Sequence, residues 1–205
     1  MPSIDLSLYD NSWYSPGRGM LIRALWFFIG LPIIRSSLLP SSSIRCFVLR
    51  RFGAKLAGGV VLKPGIRVKY PWLLSIGNNS WIGEEVWIDN LVEVKIGANV
   101  CISQGAYLCT GNHDWSDKSF GLNVRPIVLD DGSWVGARAL IGPGVMIGEC
   151  GIATAGSVVV KPIPAYEIHS GNPAAFAKRR SFRDTDSDER PLVSESSALG
   201  RHYRN

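Results

Sequence analysis

The sequence predicts an all-β solenoid: a three-sided parallel β-helix of about five coils, with an N-terminal helical segment and a short C-terminal helix. Two observations predict it. Aliphatic residues recur every six positions, at Ile76, Ile82 and Ile88, then Ile96, Ile102 and Leu108, then Leu129, Val135, Ile141, Ile147, Ala153 and Val159. The place after the aliphatic residue is often glycine (Gly77, Gly83, Gly97, Gly136, Gly142, Gly148), and the fifth place is small or β-branched, as at Ser80, Val86, Val100 and Val145. A period of six fits neither a 3.6-residue helix nor an isolated strand, and it marks a hexapeptide solenoid. Each hexapeptide forms one flat side, the aliphatic residue points inward, and glycine is expected to allow the corner backbone. A β-sandwich would instead place turns at irregular spacings of about 8–12 residues.

Taken in order, residues 1–57 form an arm and helices. Residues 1–17 are polar and turn-rich. Met20–Ile34 is the most apolar stretch, a helix stopped near Pro32, with Arg23 inside it. It is shorter than the roughly 20 apolar residues a membrane span needs. Two compatible readings stand: packing on the prism or a neighbouring subunit, or an interfacial helix with Trp26, Phe27 and Phe28 among lipid and arginines at the headgroups. After a Ser-rich linker, Ile44–Phe52 reads as a second short helix with Arg45, Arg50 and Arg51 solvated. Residues 58–164 carry the repeat, with Val60 and Ile66 on the beat of a less regular first coil. Residues 111–128 break the beat; they are too long and polar for a prism side and must project from a corner. Residues 165–180 close the solenoid with a short basic helix at Ala174–Arg180, and 181–205 read as a mobile tail.

The net charge of +5 sits entirely in the N-terminal part: residues 1–55 carry seven basic and two acidic side chains, and the remaining 150 carry fifteen of each. No basic stripe or recognition motif points to nucleic acid; membrane phosphates or an anionic substrate fit better. The four cysteines (Cys46, Cys101, Cys109, Cys150) match no zinc spacing and no disulfide framework, which favours a reducing, cytoplasmic compartment.

Of three histidines, His202 lies in the tail and His169 in the closing turn, while His113 stands at the base of the projecting loop. An imidazole with an ordinary pKa near 6.5 suits general-base work at neutral pH. Three segments carry a family likeness: Gly111-Asn112-His113-Asp114-Trp115, Trp134–Ala139 with Ile141–Val145, and Ala155–Lys161 followed by Ser170-Gly171-Asn172-Pro173-Ala174. Over about residues 60–180 the chain resembles the hexapeptide-repeat acyltransferases, whose coils are left-handed, and within them the sugar O-acetyltransferases of the galactoside, maltose and colanic-acid-cluster types.

The resemblance implies acetyl transfer from acetyl-CoA to a hydroxyl in a homotrimer, with His113 as general base and no metal. It implies acceptor contacts at Asp89, Asn90, Asp114 and Trp115, although the spacing from Asp89 to His113 departs from the galactoside enzymes; Asp114 could orient His113 or equally cap its loop. It implies donor contacts at Trp134, Ala137, Ala155, Val160, Lys161 and Lys178, with Arg179 or Arg180 as substitutes for a basic residue that Ala175 replaces. The acceptor it implies is a free sugar or a lipid-linked glycan, the latter fitting peripheral contact of residues 20–35 with the inner membrane face. Outward Trp81, Trp87, Tyr107 and Trp134 suggest interfaces or ligand walls. A covalent acyl-Cys109, an N-acyltransferase acting on an amino or nucleotide sugar, and a non-catalytic prism stand as rivals. A zinc anhydrase would need three prism histidines.

Overall fold

In a computed structural model, residues 3–39 and 41–183 are described. The tail expected at 181–205 lies outside the described residues from 184 onward. The hexapeptides close into a three-sided parallel solenoid. The first face stacks Lys55–Leu56, Leu74–Ile76, Val94–Ile96, Ile127–Leu129 and Met146–Ile147; the second stacks Val61–Leu62, Trp81–Ile82, Cys101–Ile102, Trp134–Val135, Ile152–Ala153 and Glu167–Gly171; the third stacks Arg67–Val68, Trp87–Asp89, Tyr107–Cys109, Leu140–Ile141 and Val158–Val159. Five complete coils result, and Ile163 pairing with Ile147 begins a sixth. The solenoid starts at Lys55 rather than at 58.

The pairing register shows how each hexapeptide works. First-place residues stack on one another, Ile76 on Ile96 and Ile82 on Ile102, and both first and fifth places are buried. The first coil is framed by Leu56, Leu62 and Val68, so Val60 and Ile66 hold fifth places rather than the aliphatic beat. Glycine's expected corner role belongs to a different place. Left-handed backbone falls at the fourth position, at Gly59, Gly65, Asn79, Glu85, Asn99, Gly105, Gly132, Arg138, Gly144, Cys150 and Gly156. The second-place glycines answer to a closer constraint: a Cβ on Gly136 would lie 2.4 Å from the Ala155 nitrogen, and one on Gly77 2.5 Å from the Gly97 carbonyl carbon. They let consecutive coils approach.

Both ends of the solenoid are covered. Helix α1 (Met20–Leu25) runs through a π-helical turn at Trp26–Gly30 into α2 (Leu31–Arg35). Trp26 faces the prism, not lipid: it is buried and its indole donates to the Val68 carbonyl at 3.1 Å. Gly30 makes room for that ring, since a Cβ there would come within 2.2 Å of it. Helix α3 (Ser42–Arg51) lies on the first coil. Ser42 Oγ accepts from the Leu62 amide, and Arg50 donates to the Leu56 and Ala57 carbonyls. Arg45, expected to be solvated, is fully buried: its guanidinium donates to the carbonyls of Ile34, Ser36, Leu39 and Ser41, closing the C-terminus of α2.

At the other end, Ala174–Arg179 is a strand, not the expected helix; it pairs antiparallel with Glu167–Gly171. The last rung of the second face leaves a row of unpaired backbone groups, and pairing with that edge outweighs the helix propensity of an Ala-rich segment. Arg180 then donates to the Gly132 and Cys150 carbonyls, which makes it a structural clamp rather than a substitute phosphate ligand.

Candidate active site

The corner between the third and first faces carries every interruption of the repeat. In the second coil it is held from inside. Asn90 is fully buried; its Oδ1 accepts from the Tyr70 amide at 3.0 Å and its Nδ2 donates to the Tyr70 carbonyl at 2.7 Å. Both ends of the amide are occupied, so Asn90 is a corner brace and not an acceptor ligand. Thr110, one coil on, donates to the Asp89 carbonyl and accepts from the Leu91 amide. Asn90→Ala leaves the partly buried Tyr70 amide and carbonyl without their partner, and unfolding free energy is expected to fall by about 2 kcal/mol. Urea titration measures this; turnover per folded molecule should match wild type.

From the same corner in the third coil, Gly111–His113 and Leu122–Val124 form an antiparallel hairpin that projects from the prism. His113 therefore sits on an arm that leaves the prism rather than in its stacked rungs. Its ring stacks on Phe120 at 4.4 Å between centroids, with the planes 8° apart, and Tyr9 approaches at 5.8 Å. His113 Nδ1 lies 2.9 Å from the Phe120 carbonyl oxygen. A carbonyl can only accept, so Nδ1 donates, and the neutral ring leaves Nε2 as a bare acceptor. Phe120 has a left-handed backbone, φ +53°, and this turns its carbonyl back onto the imidazole.

The other acceptor candidates divide. Asp114 does not orient His113: its Oδ1 accepts from the Ser116 amide and hydroxyl, and these bonds hold its carboxyl below the usual range. It caps the loop. Trp115 is exposed on the hairpin. Asp89 lines a cleft of about 560 Å³ between the third face and α1, with Tyr70, Trp87 and Lys69. Its Oδ2 accepts from the Tyr107 hydroxyl at 3.2 Å, and the Lys69 ammonium lies 3.0 Å from Oδ1, a charge contact rather than an aligned hydrogen bond. Burial first, then the neighbouring Cys109 and Asp89, push the Tyr107 phenol up, so it stays a donor. Trp87 and Tyr107 stack at 4.5 Å, forming an aromatic wall beside this carboxylate. The Cys109 thiol donates to the Gly111 carbonyl rather than to an imidazole.

The donor candidates lie on two edges. Trp134, Ala137 and Ala155 occupy the second face and its edge with the third. The Trp134 indole donates to Ser103 Oγ, and a Cβ on Gly156 beside Ala155 would meet no described heavy atom within 4 Å, so that edge has room for a ligand. Val160 lies across the third face, where it lines a cleft of about 260 Å³ with Asn112, Arg125 and Pro143; Lys161 follows it, exposed. Lys178 stands on the closing strand opposite Ile168. His169 is kept from solvent by Glu167, 3.0 Å from its Nε2, and by Phe176. Among the described residues no cluster of three His, Cys, Asp or Glu could hold a metal ion.

Sequence reasoning missed Tyr9 and Phe120 at the imidazole. The arm that carries Tyr9 is held by long-range contacts, from the Asp5 amide to the Lys118 carbonyl and from the Tyr14 hydroxyl to the Leu91 carbonyl. No local pattern announces those.

The geometry is thus a triangular hexapeptide solenoid with an imidazole on a projecting hairpin. No protein-family model matches the chain. The chain is 38% identical over 156 residues to the Escherichia coli protein WcaF, whose name assigns it provisionally as a colanic acid biosynthesis acetyltransferase, covering 76% of this chain and 86% of that one. It is 28% identical over 140 residues to the galactoside O-acetyltransferase of Escherichia coli, covering 67% and 69%. Among solved structures, a Vibrio cholerae hexapeptide-repeat acetyltransferase complexed with acetyl coenzyme A superposes with a TM-score of 0.70 at 22% identity, covering 79% of this chain and 88% of that one; its fold is the same. The chain belongs to the hexapeptide-repeat acetyltransferase family that includes WcaF.

Proposed function

We propose that the protein transfers an acetyl group from acetyl-CoA to a hydroxyl of a sugar or polysaccharide precursor, as a homotrimer, with His113 as general base. The observation that carries this reading is the bare Nε2 of His113, fixed by the Nδ1 contact to the Phe120 carbonyl. Nε2 takes the acceptor hydroxyl proton as that oxygen attacks the thioester carbonyl. The imidazolium then returns the proton to the departing CoA sulfur as the carbon–sulfur bond breaks. Charge and protons balance, and the ring ends as it began. The named activity of the galactoside O-acetyltransferase supports a sugar hydroxyl as acceptor, and the place of WcaF in colanic acid biosynthesis supports a polysaccharide precursor. Asp89, with the Trp87–Tyr107 wall, supplies a carboxylate and an aromatic face of the kind that hold a sugar.

The trimer is supported by where the donor residues fall. Trp134, Ala137 and Ala155 on one edge and Val160 and Lys161 on another flank the third face. One extended thioester arm running along an edge touches both sets only when a second copy brings its other edge alongside. Light scattering at micromolar concentration is expected to give three times the 22.4 kDa chain mass; a monomer removes the shared site. Thiol release from acetyl-CoA, measured with free sugars, lipid-linked glycans and amino sugars as acceptors, tests the reaction. Turnover only with amino sugars would replace the hydroxyl reading by amide formation.

A further inference from the structure

The helix over residues 20–35 has two apolar sides, and the prism uses only one. Trp26, Gly30 and Ile34 are buried against the solenoid. On the opposite side Leu21 and Phe28 are each 74% exposed, and Leu25 and Ile29 are exposed between them. A helix that is apolar all round normally buries both sides, and among the described residues nothing covers the outer one.

The charge pattern says what does. Between Asn11 and Gly83 there is no aspartate or glutamate, while ten lysines and arginines fall in that stretch. Three of them, Arg18, Arg23 and Arg35, are exposed in or beside the helix. Arg23 also lines the cleft under α1 together with Arg67 and Lys69. Arg67 Nε is buried there without a hydrogen-bond acceptor among the described residues. The two acids that line the clefts beside the helix, Glu85 and Asp89, belong to the solenoid and are paired there with Arg67 and Lys69. The exposed apolar strip with Arg18, Arg23 and Arg35 beside it is therefore complementary to a surface of acyl chains topped by phosphates.

We propose that residues 20–35 lie flat in the surface of a membrane containing acidic phospholipids. Leu21, Leu25, Phe28 and Ile29 enter the acyl boundary, and Arg18, Arg23 and Arg35 meet lipid phosphates. At about 1.5 Å per residue the helix is about 24 Å long, short of the roughly 30 Å hydrocarbon core. Among the described residues no helix is long and apolar enough to cross a membrane. An interfacial helix backed by basic residues is the geometry that remains. This inference does not rest on the acetyl-transfer reading.

The test is co-sedimentation of the full chain with vesicles of phosphatidylcholine alone or mixed with phosphatidylglycerol, at low and high salt. Wild type is compared with the double variant Leu21→Ser, Ile29→Ser and with Arg18→Glu, all at exposed positions outside the cleft that holds Asp89. Melting curves and thiol release with a soluble acceptor serve as fold checks, and light scattering gives the mass of each. Expected are binding to the acidic vesicles that salt weakens, and a loss of about tenfold or more in either variant at unchanged mass. Absence of binding to acidic vesicles at low salt, or equal binding by both variants, overturns the proposal. A fall in oligomer mass in the double variant also overturns it, because a second copy would then be the occupant of this side.

Discussion

His113→Ala is expected to lower kcat for acetyl transfer by about 100- to 10,000-fold, the usual contribution of a positioned proton acceptor. Thiol release from acetyl-CoA in the presence of the acceptor measures it. The loss should fall on kcat, with KM for acetyl-CoA close to wild type, because the donor-edge residues lie on the prism and the imidazole lies on the hairpin. Added imidazole should recover part of the rate, since the alanine leaves a gap between the Phe120 and Tyr9 rings. Recovery separates a lost proton acceptor from a collapsed hairpin, which small bases cannot repair. Turnover unchanged in this variant would remove His113 from the chemistry, and with it the reading of the bare Nε2.

The largest stability effect is expected at Gly136. An alanine Cβ there would sit 2.4 Å from the Ala155 nitrogen, 2.6 Å from the Thr154 carbonyl carbon and 2.9 Å from the Ala153 oxygen. All three are backbone atoms of the next coil, held in the parallel ladder, so neither coil can give way alone. Gly136→Ala should cost about 3 kcal/mol or more, at the upper end of overpacking penalties. Gly156→Ala is the matched control. It has φ +70° but open space around its Cβ, so only the left-handed backbone penalty of about 1–2 kcal/mol applies. Urea titration of the two variants separates crowding from backbone strain. Equal destabilisation would show that the second-place glycines answer to backbone angle after all.

The parts of the fold that were legible in the sequence are those where one residue type answers to one local environment. Inward places need apolar side chains, so Ile76 to Val159 announce the prism. The loop at 111–128 was legible as a breach of that rhythm, and His113 at its base followed. Glycine was legible in position but not in cause, because the sequence shows recurrence and not what lies above a Cα. Contacts between distant segments were not legible. Asn90 looks like any polar corner residue until Tyr70 folds beneath it, and Asp114 looks as ready to orient His113 as to cap Ser116. The Phe120 carbonyl that holds the imidazole has no side-chain signature at all. The closing strand misled for a related reason: Ala174–Arg179 favours a helix in isolation, and only the neighbouring rung makes a strand preferable.

A stack of identical rungs has no intrinsic reason to stop, since the last rung offers the next chain the same surface that each rung offers its successor. Ser42 and Arg50 at one end, and the reversed strand with Arg180 at the other, use up those docking groups. They convert a potentially endless fibre into a particle of fixed length. Among the described residues, only the flanks of the prism keep their stacked faces open to other molecules.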